Sequence, residues 1–223
     1  MTTFRPQRDM LPEPQLALWP ELAPMAALGF VLYGGTALVL RLGHRESIDF
    51  DFFAAPAVDK ARITATNLLQ NGKIIQDAPD TLTLLVEREG GTVKVSFFSD
   101  LVPTRIRGRV GEPQFTDDRT LLVASIDDLF ATKVKVVLDR AEAKDYRDIA
   151  ALLRSGASLE RALGAAQAIY GPAYQPAESV KALSYFGDGD LSTVSADDRA
   201  CLAEAAALVR NLPDVPLRAT DLN

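Results

Sequence analysis

Several things are scarce in this chain, and each scarcity excludes something. There is one cysteine, Cys201, so no intrachain disulfide can form, which fits a reducing cytoplasm as the expected location. Its place in the helical run Ala200 to Arg210 predicts a small hydrophobe packed in a core. There is one histidine, His44, and with no second histidine it is read as structural or as a hydrogen-bond donor rather than a metal ligand. No apolar run approaches the roughly 20 residues that cross a bilayer. Met1 to Leu11 lacks the apolar centre of a signal peptide, so no membrane partner is expected. Positive charge is also short: 24 Lys+Arg face 30 Asp+Glu, a net charge of −6. That excludes nonspecific nucleic-acid binding over the whole surface, though a local basic patch is still allowed.

What remains is an ordinary globular composition, 48% hydrophobic and 24% charged. At 223 residues the chain is long enough for one large domain or two small ones. The first half reads as mixed α and β. Phe30 to Tyr33 is a short apolar strand ending at Gly34-Gly35, and Thr36 is placed to cap a brief helix that Gly43 stops. Ile48 to Phe53 alternates with period two and predicts a strand with Ile48, Phe50 and Phe52 facing the core. Ala57 to Asn71 reads as a helix. Lys73 to Gln76, Thr81 to Arg88 and Thr92 to Ser99 read as strands, the last two forming a hairpin through Glu89-Gly90-Gly91. From Ser125 the texture turns helical, with segments near Ala143 to Ser155, Ser158 to Tyr170, Ala177 to Phe186 and Ala196 to Asn211. The expected class is α+β: a mixed-sheet core with flanking helices over residues 1–120, then a helical domain over 121–223.

Chemistry concentrates in one span, "YGGTALVLRLGHRESIDFDFF". Residues two apart in a strand share a face, so Asp49 and Asp51 stand side by side, roughly 6–7 Å apart. Two such carboxylates repel unless they are solvated or a cation lies between them. A hard cation such as Mg²⁺ is held by one or two carboxylates together with substrate phosphates. Gly34 and Gly35 sit between a strand and a helix start, where backbone N–H groups and the helix dipole favour an anion. Arg45 and Ser47, on the loop leading to the acidic strand, can reach the same phosphates. The unit offers a phosphate cradle beside a metal clamp, which points to a metal-assisted reaction on a nucleoside triphosphate. An edge strand with its polar face in water beside a glycine turn is the plainer alternative.

Gly34-Gly35-Thr36-Ala37-Leu38, His44-Arg45, Ser47 and Asp49-Phe50-Asp51 together resemble the AbiEii/AbiGii toxin family of nucleotidyltransferases, within the DNA polymerase β-like superfamily. The likeness continues into "IDDLFATKVKVVLDRAEAKDYRDIAAL" and covers about Phe30 to Leu152. It implies a nucleotidyltransferase-like fold. The implied activity is Mg²⁺-dependent transfer of a nucleoside monophosphate from NTP to an acceptor, with RNA (tRNA) as candidate. It also implies that the chain is a toxin with a separate antitoxin protein. Asp49, Asp51 and Lys133 would be catalytic, with both aspartates on the metal. Gly34, Gly35, Thr36, Arg45, Ser47, Lys144, Asp145 and Asp148 would serve the nucleotide.

The downstream residues also admit plain readings. Lys133 falls on the apolar stripe of its helix with Ile126, Leu129, Phe130, Val134, Val137 and Leu138, so its ammonium needs an anion or a route to the rim. Asp145 and Asp148 share a face that could simply be solvated. Lys144 can pair with Asp148 four residues on, and Arg140 can bridge acids of neighbouring helices. Arg105, Arg107 and Arg109 alternate in "TRIRGRV", either a phosphate-binding stripe for an acceptor or a charged edge that resists aggregation. One departure stands out. Polymerase β-like enzymes usually add a third carboxylate from a neighbouring strand, and Ser96 holds that position here, with Asp100 and Glu87 nearby. The alternative function is therefore a catalytically impaired nucleotide-binding or partner-binding module.

Overall fold

The structure, a computed structural model, describes residues 2–54, 60–64, 66, 72–99, 106 and 108–222. It divides into two units, each treated by itself. The first comprises Met1–Ile106, Glu112–Ser125 and Thr220–Asn223. Along it run β1 (Thr3–Phe4), α1 (Glu13–Leu18), α2 (Pro24–Ala27), β2 (Val31–Tyr33), α3 (Gly34–Leu42), β3 (Asp49–Ala54) and α4 (Lys60–Thr64). Then follow β4 (Gly72–Ala78), β5 (Thr81–Arg88), β6 (Gly91–Ser99), β7 (Gln114–Thr116) and β8 (Leu122–Val123). All eight strands form one mixed sheet in the order β1-β7-β8-β2-β3-β6-β5-β4.

The period-two pattern of β3 decides how this sheet divides its faces. Phe50 and Phe52 are fully buried, while Asp49, Asp51 and Phe53 are half-buried on the opposite face. Phe52 stacks on Phe97 of β6 with ring centroids 5.5 Å apart, and the Phe30 ring meets Phe97 edge-on at 5.0 Å. Such pairs add to plain area burial and fix which residues face each other. β3 therefore pairs in parallel with β6 as Asp49 with Lys94, Phe50 with Val95 and Asp51 with Ser96. On its other side β3 pairs antiparallel with β2, which sets Tyr33 against Asp51. Ile48 departs from expectation: it lies one residue before the strand and is 65% exposed, so the core run begins at Phe50.

Edges and ties follow from ordinary chemistry. β4 is an edge strand whose Ile74 and Ile75 are both exposed. Arg88 grips Glu21 with two guanidinium nitrogens, at 2.7 and 2.6 Å from Nη2 and 3.0 Å from Nε, tying β5 to the helical N-terminal segment. Of the expected 57–71 helix, Lys60–Thr64 is helical and Thr66, the other described residue, lies outside the helix. Thr36 does not cap α3. The helix starts two residues earlier, at Gly34, with Tyr33 as its N-cap. Gly43 does stop it, in the left-handed conformation at φ 63°.

The second unit, Arg107–Gly111 with Ile126–Ala219, is helical: α5 (Ile126–Val136), α6 (Ala143–Arg154), α7 (Leu159–Tyr170), α8 (Pro176–Ala182) and α9 (Ala196–Leu208). α5 packs on α6 and α7, and α6 on α9. The Ser158 hydroxyl accepts from the Arg161 N–H and the Ser195 hydroxyl from the Asp198 N–H, capping α7 and α9. The carboxylate of Asp128 accepts from the backbone N–H groups of Val110 and Gly111, pinning that short segment to α5. Cys201 is half-exposed on α9 rather than packed in a core. Leu138, expected on the apolar stripe, is likewise exposed. No helix among the described residues is long and apolar enough to cross a membrane.

Asp118 is the pH-sensitive tie of the first unit. Burial pushes its carboxyl up. The Thr116 hydroxyl, the Thr120 N–H and the Trp19 indole donate to it and outweigh burial, holding it at about 2 against an ordinary 3.8. A depressed carboxyl stabilises the fold above its unfolded value and loses that contribution as pH falls through its folded value. Unfolding stability should therefore fall between roughly pH 5 and pH 2, by about 1 kcal/mol because solvent screens this exposed carboxylate. Asp118→Asn should flatten that acid limb in denaturant titrations.

Candidate active site

The polar face of the central sheet is assembled by three neighbouring strands. β2 ends at Tyr33, and the chain turns at Gly34, where φ is +73°. A Cβ at Gly34 would lie 2.8 Å from Oδ2 of Asp51, closer than real Cβ contacts come. The turn and the carboxylate are therefore in direct apposition, and a side chain at Gly34 is barred both by φ and by Asp51. At Gly35 a Cβ would meet Arg45 Nη2 at 2.5 Å and Ser47 Oγ at 3.2 Å. The N-terminus of α3, the arginine and the serine thus surround one spot beside the acidic strand.

Thr36 works from inside this arrangement. It is 1% exposed, and its hydroxyl contacts both the Ser47 hydroxyl, at 2.8 Å, and the Asp49 carbonyl. That fastens the 43–48 loop and the start of β3 to the first turn of α3. Arg45 donates to the Glu46 carbonyl at 2.7 Å. Asp49 is paired with Lys94, whose Nζ lies 3.0 Å from Oδ2. The sequence places Lys94 on the same face of its strand as Ser96 without pairing it with Asp49. Its signal was available, because Lys94 and Ser96 alternate on β6 as Asp49 and Asp51 do on β3.

The third acid is absent from the expected position. Ser96, 3% exposed, is the direct cross-strand partner of Asp51. Glu87 lies further along the sheet, opposite Thr92, whose hydroxyl donates to it at 2.7 Å. Asp100 falls outside the described residues. Among the described residues no group of three or more His, Cys, Asp or Glu side chains could hold a metal. Two carboxylates still fit a hard cation that takes its other ligands from phosphate and water. Asp49 already faces the Lys94 ammonium, so its charge is partly offset within the sheet.

Of the downstream residues, Lys133, Asp145 and Asp148 gather in the second unit away from solvent, while Lys144 and Arg140 are exposed. Lys133 is 5% exposed, and its Nζ lies 2.7 Å from Asp145 Oδ1 and 2.6 Å from Asp148 Oδ2. Arg140 Nε donates to Asp145 Oδ2 at 2.8 Å and lies 3.6 Å from Glu142 Oε1, so the two acids it meets there both belong to the start of α6. Asp145 and Asp148 are both fully buried, which overturns the solvated-face reading. Burial alone would raise the Asp145 carboxyl, but Lys133 and Arg140 outweigh it and hold it below the usual carboxylate range. Lys144 pairs with Glu142 at 2.8 Å rather than with Asp148, which Lys133 engages. The arginine stripe fails at one of its members. Arg109 is 8% exposed and donates to the Gly111 carbonyl, while Arg105 and Arg107 lie outside the described residues.

A family model described as "Nucleotidyl transferase AbiEii toxin, Type IV TA system" matches residues 25–214. The chain belongs to this AbiEii family. An uncharacterized protein of Aquifex aeolicus is 32% identical over 128 residues, 56% of this chain and 58% of that one. The aligned part thus spans little more than half of that relative. The nucleotidyltransferase toxin MenT4 of Mycobacterium tuberculosis shares the fold at a TM-score of 0.51 and 14% identity, over 86% of this chain and 91% of the other. The antibiotic-resistance factor ANT(2'')-Ia matches at 0.51 and 13% identity, over 69% and 90%. The AbiEii match contains every candidate site residue, from Gly34 to Asp148.

Two substitutions separate the turn from its surroundings. Gly34→Ala forces a disfavoured φ against Asp51 and should cost about 1–3 kcal/mol in a urea melt. At Gly35 the obstacle is the far end of a flexible side chain, so Gly35→Ala should fold within about 1 kcal/mol of native with Arg45 displaced. In the second unit, Lys133→Met removes the ammonium shared by two buried carboxylates and should destabilise by about 3–5 kcal/mol.

Proposed function

We propose that this chain is a Mg²⁺-dependent nucleotidyltransferase that moves a nucleoside monophosphate from NTP onto an RNA hydroxyl, with tRNA the first candidate. We propose further that it acts as the toxin of a toxin–antitoxin pair, held in check by a separate antitoxin protein. The observation that carries the chemistry is the apposition of Asp51 with the Gly34 turn at the start of α3. Anion-binding backbone and metal-binding carboxylate meet there at one point.

In this reading Asp49 and Asp51 hold the cation. The first N–H groups of α3 and the Arg45 guanidinium receive phosphate oxygens. Thr36 and Ser47 keep that loop in register with the strand. When bound, Mg²⁺ supplies neutralisation of charge on the triphosphate and the departing pyrophosphate. The acceptor hydroxyl oxygen bonds to the α-phosphorus as the bond to the α–β bridging oxygen breaks and pyrophosphate leaves. Ser96 is not a base at neutral pH, so the proton of the acceptor hydroxyl passes to water. Lys133 is given its catalytic role, and Lys144, Asp145 and Asp148 their nucleotide roles, by family resemblance. The buried pairing of Lys133 supports, besides, a structural part for it and both aspartates.

A second reading has its own observation: Ser96 opposite Asp51 leaves two carboxylates where three are usual. On that reading the chain binds nucleotide without transferring it. Labelled NTPs, Mg²⁺ and total RNA decide between the two. Label entering RNA, and falling by about 100-fold or more with Asp51→Asn, is the expected result, since lost transition-state charge stabilisation acts on that scale. NTP-dependent thermal stabilisation with no incorporation for any of the four nucleotides would instead establish the binding module.

A further inference from the structure

We propose that Lys94 is the resident counter-ion of Asp49 and confines the Asp49–Asp51 pair to a single divalent cation, an inference that rests on the metal reading above. The two residues are direct partners in the parallel β3–β6 register, and the ammonium lies 3.0 Å from Asp49 Oδ2. Next along β6, on the same face, comes Ser96 opposite Asp51. The row facing the two acids is therefore an ammonium and a hydroxyl. Neither is an anionic ligand, and an ammonium has no lone pair to give a metal.

Charge decides what this face can hold. Two divalent ions about 3.5–4 Å apart need carboxylates to offset their mutual repulsion. Asp49, Asp51 and Lys94 together carry only one net negative charge. One oxygen of Asp49 already faces a fixed cation, and a second metal there would stand against it. A single divalent ion bound chiefly through Asp51, completed by phosphate and water, is what this charge set accommodates.

An ordinary surface ion pair is the competing explanation. Lys94 and Asp49 side chains are 40% and 30% exposed, so the pair contributes little to folding. A purely decorative pair would leave metal binding unchanged when it is removed, and that is what the experiment reads.

The full chain is titrated with Mn²⁺ alone, and the free-ion electron paramagnetic resonance signal is followed for the native protein, Lys94→Met, Lys94→Gln, Lys94→Arg and Asp51→Asn. The native chain should bind one Mn²⁺ that Asp51→Asn abolishes. Lys94→Met and Lys94→Gln should bind it about five-fold or more tightly, or admit a second ion, because a neighbouring like charge is gone. Lys94→Arg should behave as native. Thermal melts of the neutral variants should stay close to native, and the glutamine variant covers any failure of the methionine variant to fold. Two Asp51-dependent ions in the native chain would overturn the inference and leave the metal reading intact. So would unchanged affinity and stoichiometry in both neutral variants. If no Mn²⁺ binding depends on Asp51 in any variant, the metal reading falls and the role of Lys94 falls with it.

Discussion

The parallel pairing of β3 with β6 is the constraint on which the candidate site depends. It sets Phe52 against Phe97 on one face, and Asp49 against Lys94 and Asp51 against Ser96 on the other. Because side chains alternate with period two, a slip of one residue would drive both aspartates into an aromatic core and bring Phe50 and Phe52 into water. The stacked phenylalanines make that slip expensive. The hydrophobic face thus sets the register, and the register places the acids. The candidate chemistry inherits its geometry from packing on the far side of the sheet.

The second unit solves a different problem with similar residues. Lys133 is placed by helical periodicity on the buried stripe of α5, where an unpaired ammonium would be prohibitively costly. Asp145 and Asp148, three apart on α6, converge on it, and Arg140 closes the remaining side of Asp145. Such a cluster ties α5 to α6 with high directional demand, and removing Lys133 leaves both aspartates charged and buried without their shared ammonium. Conserving these residues would be expected on structural grounds alone. Loss of activity in a Lys133 variant is therefore informative only beside a measurement of its folding.

Sequence reasoning reached the strands of the central sheet because their signals are local: β3, β5 and β6 alternate, and Gly90 and Gly91 mark the hairpin. It reached the sharing of a face by Asp49 and Asp51 for the same reason. It missed β1, β7 and β8, which are two or three residues long and have no period to read. It placed Ile48 in the core because a pattern in letters does not show where hydrogen bonding begins. It missed Lys94 as a partner of Asp49, since that contact joins strands more than 40 residues apart and becomes visible only once register is fixed. Arg109 misled in the opposite direction: alternation is necessary for an exposed stripe, yet burial at one position is enough to break it.

The glycine turn shows why this site could be read at all. A positive φ at Gly34 is needed so that β2 can end and α3 begin within one peptide, a demand of the fold. The lack of a Cβ at the same residue lets Asp51 approach the turn, a demand of the site. One residue answers both, and so do its neighbours: Thr36 is a helix residue that also binds the Asp49 carbonyl, and Ser47 a loop residue that also meets Thr36. When the same atoms serve fold and site, their sequence pattern cannot drift without cost to either. That double duty leaves a compact, legible signature, whereas a contact such as Lys94 with Asp49 can be read only once the strand register is fixed.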